Sequence, residues 1–222
     1  TPIEQAVNQY APTQLNMKPT FNPRMGYVDY VVPAVFVLIL QQTLAMAAGL
    51  MGGTQKNGKG YWSQTSAAKL VTVRSLVLVG IYYILSMYYF GASFTLHGVN
   101  QIAHASELLT MLLPFLIASC AIGIWLGALL PRRELVTLVV LISSMPLVFS
   151  AGFIWPTESI PSVIVWVANL FPSTAGIQGF VALNQMGASW QQAAPHYTQL
   201  WLQAIAWLII AIWTIQKQKK RG

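Results

Sequence analysis

The chain alternates between long apolar stretches and short polar segments, a pattern typical of membrane helices. A bilayer core is about 30 Å thick and a helix rises about 1.5 Å per residue, so about 20 apolar residues make one crossing. The sequence therefore predicts an all-α polytopic membrane protein with about five transmembrane helices. The predicted spans cover about residues 27–53, 71–90, 108–130, 135–154 and 197–215.

Residues 155–195 are also apolar, but prolines divide them into short pieces. Pro161 and Pro172 bound a piece of about ten residues, which is too short to cross a bilayer. Ser173 and Thr174 then provide an N-cap for a second piece that ends near Gly187. Two short re-entrant helices, dipping into the outer leaflet, are therefore predicted before the last span.

Residues 1–25 differ from the rest of the chain because they are polar and interrupted by four prolines. Prolines at this spacing disfavour both a long helix and a central strand. We therefore expect residues 1–25 to be the tail of a water-exposed, extracytoplasmic segment. Residues 26–222 are predicted to form the transmembrane domain.

The composition supports a membrane location. Of the 222 residues, 55% are hydrophobic and only 8% are charged, whereas soluble domains carry about 25% charged residues. The net charge of +7 would suit nucleic acid or an anionic surface. Because the basic residues flank the apolar spans, the lipid bilayer is a predicted partner and nucleic acid is not.

Lysine and arginine are distributed unequally between the two sides of the predicted bundle. Ten fall on the side that holds the carboxy terminus, whereas Lys18 and Arg24 fall on the other. Cytoplasmic loops carry the excess of these residues, so the first side is predicted to be cytoplasmic and the amino terminus to lie outside. An outside amino terminus needs a translocation signal, so we expect an earlier span upstream. The ten residues are Lys56, Lys59, Lys69, Arg74, Arg132, Arg133, Lys217, Lys219, Lys220 and Arg221.

Two local patterns suggest chemistry but fit a structural role better. Residues 53–60 nearly match a phosphate-binding loop, but Gly60 replaces the required hydroxyl residue and the loop follows a membrane helix. His97, His104 and Glu107 lie near one another, yet they have neither metal-ligand nor triad spacing. We therefore predict no catalytic site, no metal site and no cofactor.

Small residues recur at every fourth position in two of the spans. Such stripes let helix backbones approach closely. We predict that the stripes pack on each other or across a dimer axis, with general packing as the alternative. They comprise Ala45, Gly49 and Gly53 in the first span and Ser119, Gly123 and Gly127 in the third.

Uncharged polar residues lie near the middle of the first and fourth spans. Because buried polar groups need partners, these residues are predicted to bond to neighbouring helices or to line a substrate path. No ionisable side chain lies near the middle of any span, which disfavours proton-coupled carriers. The residues are Gln41, Gln42 and Thr43, together with Ser143 and Ser144.

Short motifs at the ends of the spans are similar to those of one transporter family. Phe-Asn-Pro at residues 21–23 precedes Tyr-Val-Val-Pro at residues 30–33. Ser-Ala-Gly-Phe-Ile-Trp-Pro at residues 150–156 is followed by Leu-Phe-Pro-Ser-Thr at residues 170–174 and by Gly187. On these motifs the chain resembles the permease subunit of bacterial ATP-binding-cassette (ABC) exporters of the second export type (ABC-2), in the drug-export-like subgroup with an exposed domain.

The resemblance implies a permease with six spans, an exposed domain after the first and short re-entrant outer helices before the last. This chain would supply the second to the sixth span. Such permeases work as homodimers or heterodimers of permease subunits with cytoplasmic ABC ATPases. The subgroup often cooperates with a periplasmic adaptor.

One segment departs from the family pattern. Family members have a cluster of the R-E-x-E-x-G-T kind here, but residues 51–56 read Met-Gly-Gly-Thr-Gln-Lys and no acid lies between Lys56 and Arg74. The cytoplasmic loop of residues 54–69 is nevertheless the predicted ATPase-coupling loop. Its candidate contact residues are Thr54, Lys56, Lys59 and Lys69.

Together these features predict the permease subunit of an ATP-driven exporter in the bacterial inner membrane. It would move an amphiphilic substrate that is drug-like, lipid-like or a saccharide. It is not expected to be an enzyme, because ATP hydrolysis is expected on the partner chain. A channel or secondary carrier without an ATPase is the main alternative, and an intramembrane hydrolase that uses Ser93 and a histidine is a further one.

Overall fold

The structure is a computed structural model that describes residues 27–52, 64–98, 101–155 and 157–220. Every regular element in these residues is a helix, which confirms the predicted all-α fold. A π-helical turn (Tyr88–Ser93) joins α2 to α3, and a 3-10 turn (Thr157–Ser159) precedes α6. The helices are α1 (Tyr27–Gly52), α2 (Ala67–Met87), α3 (Phe94–Leu96), α4 (Ala105–Leu129), α5 (Glu134–Ser150), α6 (Ser162–Ala168), α7 (Pro172–Asn184) and α8 (Trp190–Lys219).

Four helical stretches among the described residues are long and apolar enough to cross a membrane. They correspond to the first, second, third and last predicted spans and confirm them. The helices α6 and α7 meet at a 90° bend and would make a fifth span if counted together. The fourth predicted span is α5, a shorter helix of 17 residues. The four stretches are Val31–Gly52, Ala67–Leu96, Ala105–Leu129 and Trp190–Lys219.

Helices α5 and α8 each differ at one end from the span predicted there. Helix α5 ends at Ser150 instead of residue 154. Gly152 adopts a φ of 85°, a left-handed conformation that an α-helix does not contain. Helix α8 begins at Trp190 instead of residue 197, because Ser189 caps it and its backbone amide donates to Gln192 Oε1 at 2.9 Å.

The predicted break in residues 155–195 is confirmed. Helix α6 ends at Ala168 and α7 begins at Pro172, so no helix continues through Phe171. Pro172 lacks a backbone N–H and occupies the first turn of α7, where that donor has no helical partner. Proline therefore both ends one helix and begins the next.

Helix α4 lies at the centre of the bundle and packs along α1, α2 and α8. Helix α7 sits among α1, α4 and α8, and a Cβ on its Gly176 would contact Phe115 of α4 and Val37 of α1. Helix α5 packs mainly on α1, and α6 contacts α5. The largest fully buried apolar side chains therefore come mostly from α4 and the helices around it: Val37, Leu44, Phe94, Met111, Leu112, Phe115, Leu116, Ile124, Ile177, Phe180, Leu183 and Leu200.

Contacts between side chains and backbone fix which helix ends meet. Arg74 Nη2 of α2 donates to the Met51 carbonyl at the end of α1, at 3.2 Å. The Gln218 side chain of α8 donates to the Ala128 carbonyl at the end of α4. This end of the bundle, which we call the basic end, holds all the lysines and arginines that the structure describes. They are Lys69, Arg74, Arg132, Arg133, Lys217, Lys219 and Lys220.

Candidate functional site

The two stripes of small residues lie against each other within one chain. A Cβ added to Gly123 would lie 2.7 Å from Ala45 Cα, and one added to Gly127 would lie 2.9 Å from Gly49 Cα. Only glycine leaves room for such an approach of two backbones. Ser119 is fully buried, and its hydroxyl donates to the Phe115 carbonyl of its own helix at 2.7 Å.

At the carboxy-terminal end of α1, the residues in this contact differ slightly from the predicted stripe. Gly53 lies outside the described residues. Gly52, which the sequence analysis did not single out, takes part instead, because a Cβ on it would lie 3.1 Å from Gly127 Cα. A Cβ on Gly49 would also meet Val136 of α5 at 2.5 Å, so the contact joins three helices.

The hydroxyl groups among the predicted path residues bond to their own helices. Thr43 Oγ1 donates to the Ile39 carbonyl at 2.8 Å. Ser143 and Ser144 both donate to the Val140 carbonyl, at 2.8 Å and 3.1 Å. Such bonds satisfy the hydroxyl proton without a neighbouring helix or a ligand.

Gln41 and Gln42 of α1 are buried, with 4% and 8% of their surfaces exposed. Among the described residues, Gln41 Oε1 and Gln42 Nε2 have no hydrogen-bond partner. An unpaired buried amide costs free energy. Among the predicted path residues, these two side chains therefore each have a polar atom that can still bind a partner.

An open groove of about 380 Å³ runs between α5 and α6. Ser143 is among its lining residues, so one predicted path residue does line a groove. The lining is otherwise almost entirely apolar, and Ser150 at its edge donates to the Pro146 carbonyl of its own helix. Its lining residues are Val139, Ile142, Ser143, Pro146, Leu147, Ser150, Ile164, Val167, Ala168 and Phe171.

The predicted coupling loop is only partly described. Thr54, Lys56 and Lys59 lie outside the described residues. Lys69 is exposed in the first turn of α2, where its backbone amide donates to Ser66 Oγ at 3.3 Å. The loop therefore ends at a capped helix start that carries an exposed ammonium group.

The turn between α4 and α5 adds further charged residues to the basic end. Arg132 and Arg133 are exposed, and Arg133 Nε lies 3.3 Å from Glu134 Oε1. The Glu134 backbone amide and the Arg133 guanidinium hold the pKa of the Glu134 carboxyl below its usual value. The turn thus presents two cations and one ionised carboxylate at the basic end.

These features agree with the transporter motifs read from the sequence: long helices around a buried centre, a bent helix pair and one basic end. The sequence matches the family described as ABC-2 family transporter protein over residues 1–213. The chain belongs to this family. It is the permease of an ABC transporter and a multi-pass membrane protein, and the family implies an ABC ATPase as its partner. No curated protein matches the sequence.

The permease also contains a hydrogen-bonded ladder that the sequence analysis missed. Gln199, Gln203 and Trp207 of α8 donate from their side chains to backbone carbonyls of residues 169–171, at the bend between α6 and α7. The three residues are spaced by four, so they lie on one face of α8. This spacing in an otherwise apolar helix is the signal that would have identified them.

His97 and His104 of the permease take part in local hydrogen bonds. His97 Nδ1 lies 2.8 Å from the Ser93 carbonyl oxygen, and the His104 backbone amide donates to Glu107 Oε2 at 3.3 Å. Glu107 thereby caps the start of α4. Within the described residues, no group of three His, Cys, Asp or Glu side chains is arranged as metal ligands.

Proposed function

We propose that this permease is the membrane subunit of an ATP-driven exporter of an amphiphilic substrate. Family membership over residues 1–213 is the observation that carries the proposal. The substrate is drug-like, lipid-like or a saccharide with an apolar part. The permease performs no reaction of its own, since ATP is hydrolysed on the partner chain.

The apolar groove between α5 and α6 supports an amphiphilic substrate. The hydroxyls of Ser143 and Ser150 in its lining are bonded to their own helices. The groove therefore offers contact area rather than hydrogen bonds, which suits an apolar chain or ring more than a sugar. The buried amides of Gln41 and Gln42 are then the candidates for contact with the polar part.

The charge distribution supports an orientation with the basic end in the cytoplasm of a bacterium. Excess lysine and arginine mark cytoplasmic loops. The amino end of α1 then lies outside, and residues 1–25 belong to an extracytoplasmic segment. The protein is accordingly a subunit of the inner membrane, where a periplasmic adaptor can reach its outer side.

The loop of residues 54–69 and the turn of residues 131–134, both at the basic end, are the proposed docking surface for the ATPase. Its cations require acidic side chains or carbonyls on the partner, because lysine and arginine only donate hydrogen bonds. The loop of residues 54–69 receives the motion that ATP binding and hydrolysis produce. A second permease subunit, identical or related, completes the translocation path.

The close contact between α1 and α4 supports alternating access. Where Gly49 and Gly127 meet, no side chain interlocks the two backbones. Small residues let the two backbones approach closely, and the proposal is that one helix slides along the other at this contact. Such sliding is the proposed route by which motion at the basic end reaches the outer half.

Purification of the full-length permease from native membranes tests this function. We expect an ABC ATPase to copurify, together with a second permease subunit. The activity of the copurified ATPase should rise when the amphiphilic substrate is added. Recovery of the permease without any ATPase, in mild detergent and from cells grown with the substrate, would favour a channel or secondary carrier.

A further inference from the structure

The bend between α6 and α7 leaves three consecutive residues outside regular helix, and α8 bonds to all three. Gln203 Nε2 donates to the Asn169 carbonyl at 2.7 Å, and Gln199 Nε2 donates to the same oxygen at 3.3 Å. Trp207 Nε1 donates to the Leu170 carbonyl at 3.0 Å. Gln203 Nε2 also lies 3.4 Å from the Phe171 carbonyl.

These bonds provide hydrogen-bond donors that the hydrocarbon of a membrane cannot provide. Within hydrocarbon, a backbone carbonyl that lacks a helical donor must find another one in the protein. The side chains on one face of α8 supply these donors to the Asn169 and Leu170 carbonyls, whereas the Phe171 carbonyl also accepts from the Thr174 backbone amide. The bend is therefore held by α8 and not by its own helices alone.

The same bend forms one wall of the apolar groove. Ala168 and Phe171 line the groove, while the carbonyls of Asn169 and Leu170 bond to α8. Any displacement of α8 that preserves these bonds carries the groove wall with it. Groove width thus depends on the position of α8.

Helix α8 reaches from the bend to the basic end without interruption. There, the side chain of Gln218 donates to the Ala128 carbonyl of α4, and Lys219 Nζ donates to the Thr65 carbonyl just before α2. The middle of α8 is thus bonded to the bend, and its carboxy-terminal end is bonded to α4 and to the residues before α2. A continuous helix transmits an axial or tilting displacement between them.

We propose that Gln199, Gln203 and Trp207 are positioning residues that make α8 and the α6–α7 bend a single moving unit. Through this unit, displacement at the basic end sets the width of the apolar groove. The proposal rests on the proposed function, because it assigns the moving part of the transport cycle. It does not require these three side chains to contact the substrate.

Two matched pairs of variants test the ladder in the full-length permease with Cys120→Ala as background. Gln203→Leu removes a donor with little change in volume, and Trp207→Phe removes the indole N–H together with part of the ring that packs on Trp125 of α4. Gln191→Leu and Trp213→Phe make the same changes at exposed positions of α8. Amide hydrogen exchange of residues 168–174 is measured on permease in lipid nanodiscs, without ATPase or substrate.

We expect exchange in residues 168–174 to accelerate by about tenfold in the two ladder variants and to stay unchanged in the two controls. ATP-driven export by the assembled transporter should fall by about tenfold in the same ladder variants. Unchanged exchange in both ladder variants would overturn the proposal. Faster exchange with normal export would overturn it as well, because the bend would then not be coupled to transport.

A rescue experiment separates positioning from folding. In the Cys120→Ala background, Gln203→Cys removes the donor of the shortest bond of the ladder, and Asn169→Cys places a second thiol on the residue whose backbone carbonyl accepted that bond. A short bifunctional thiosulfonate reagent, applied to purified transporter, should restore export, and reduction should abolish it again. Export that stays low or falls further on cross-linking would show that the bend must separate from α8, and would overturn the proposal.

Different results would overturn the proposed function and the inference about α8. A wild-type permease without ATP-driven transport overturns the proposed function and the coupling with it. Normal transport by the wild type together with unchanged hydrogen exchange in the ladder variants overturns only the inference about α8.

Discussion

Gly127 of α4 lies directly against Gly49 of α1, so close that a Cβ on Gly127 would come within 2.9 Å of Gly49 Cα. The backbones of the two helices are in contact, and no side chain separates them. Any larger residue at either position must therefore push the two helices apart, which costs packing energy.

Gly127→Ala should therefore destabilise the permease by about 1–3 kcal/mol, because the added methyl group overpacks a contact between backbones. Gly80→Ala is the matched control, since a Cβ on Gly80 of α2 meets no atom within 4 Å. The control should be neutral or stabilising by up to about 1 kcal/mol, as expected from helix propensity. Thermal unfolding in detergent measures both variants, and equal melting temperatures would contradict the contact.

The orientation predicts opposite labelling of two exposed positions. Gln64 precedes α2 at the basic end, and Met186 follows α7 towards the other end of the bundle. Cysteines at these positions, in the Cys120→Ala background, should react with a membrane-impermeant thiol reagent from the cytoplasmic and the periplasmic side, respectively. Labelling of both positions from one side of intact membranes would refute the topology.

The groove predicts a position-specific loss of transport. Val167→Trp places a large side chain in the groove and should lower export about fivefold or more while ATPase association is retained. Val163→Trp is the control, because Val163 lies on the same helix, is exposed and does not line the groove. Equal export by the two variants would remove the groove from the translocation path.

The coupling loop predicts a loss of ATPase association on charge reversal. Lys56→Glu together with Lys59→Glu should weaken binding of the ATPase and lower export, since carboxylates on the partner would then be repelled. Membrane insertion should be unaffected, because Lys69, Arg74 and the Arg132–Arg133 pair still mark this side.

The control for the coupling loop is Lys217→Glu with Lys220→Glu, which changes the net charge equally at another part of the basic end. This control should leave ATPase binding less affected than the loop variant. Unchanged recruitment and transport in the loop variant would move the coupling site to another segment, for which the turn of residues 131–134 is the next candidate.

Much of the fold was predictable because membrane helices are encoded by length and hydropathy. The break at Pro172 was predictable for the same kind of reason, since proline ends one helix and begins another. The end of α5 was not, because Gly152 has a left-handed φ and packs against Thr157 and against Gln178 of α7, and neither feature changes the local apolar pattern.

The candidate site was predictable only in part. Thr43 and Ser143 bond to the preceding turn of their own helices, as hydroxyls in membrane helices can. Ser143 also lines the groove, and the role of both residues in the substrate path stays a prediction. Gln203 was overlooked because its partner is a backbone carbonyl distant in the sequence. The break was predictable, but its link to α8 depends on tertiary packing.

The most direct test of the account is ATP-driven transport in proteoliposomes. The full-length permease and its ABC ATPase are reconstituted together, and a fluorescent amphiphile is followed across the bilayer with ATP supplied on the ATPase side. We predict accumulation on the opposite side that requires both ATP and a hydrolysis-competent ATPase. Equal flux without ATP, or with a hydrolysis-deficient ATPase, would contradict the account and support a channel or secondary carrier.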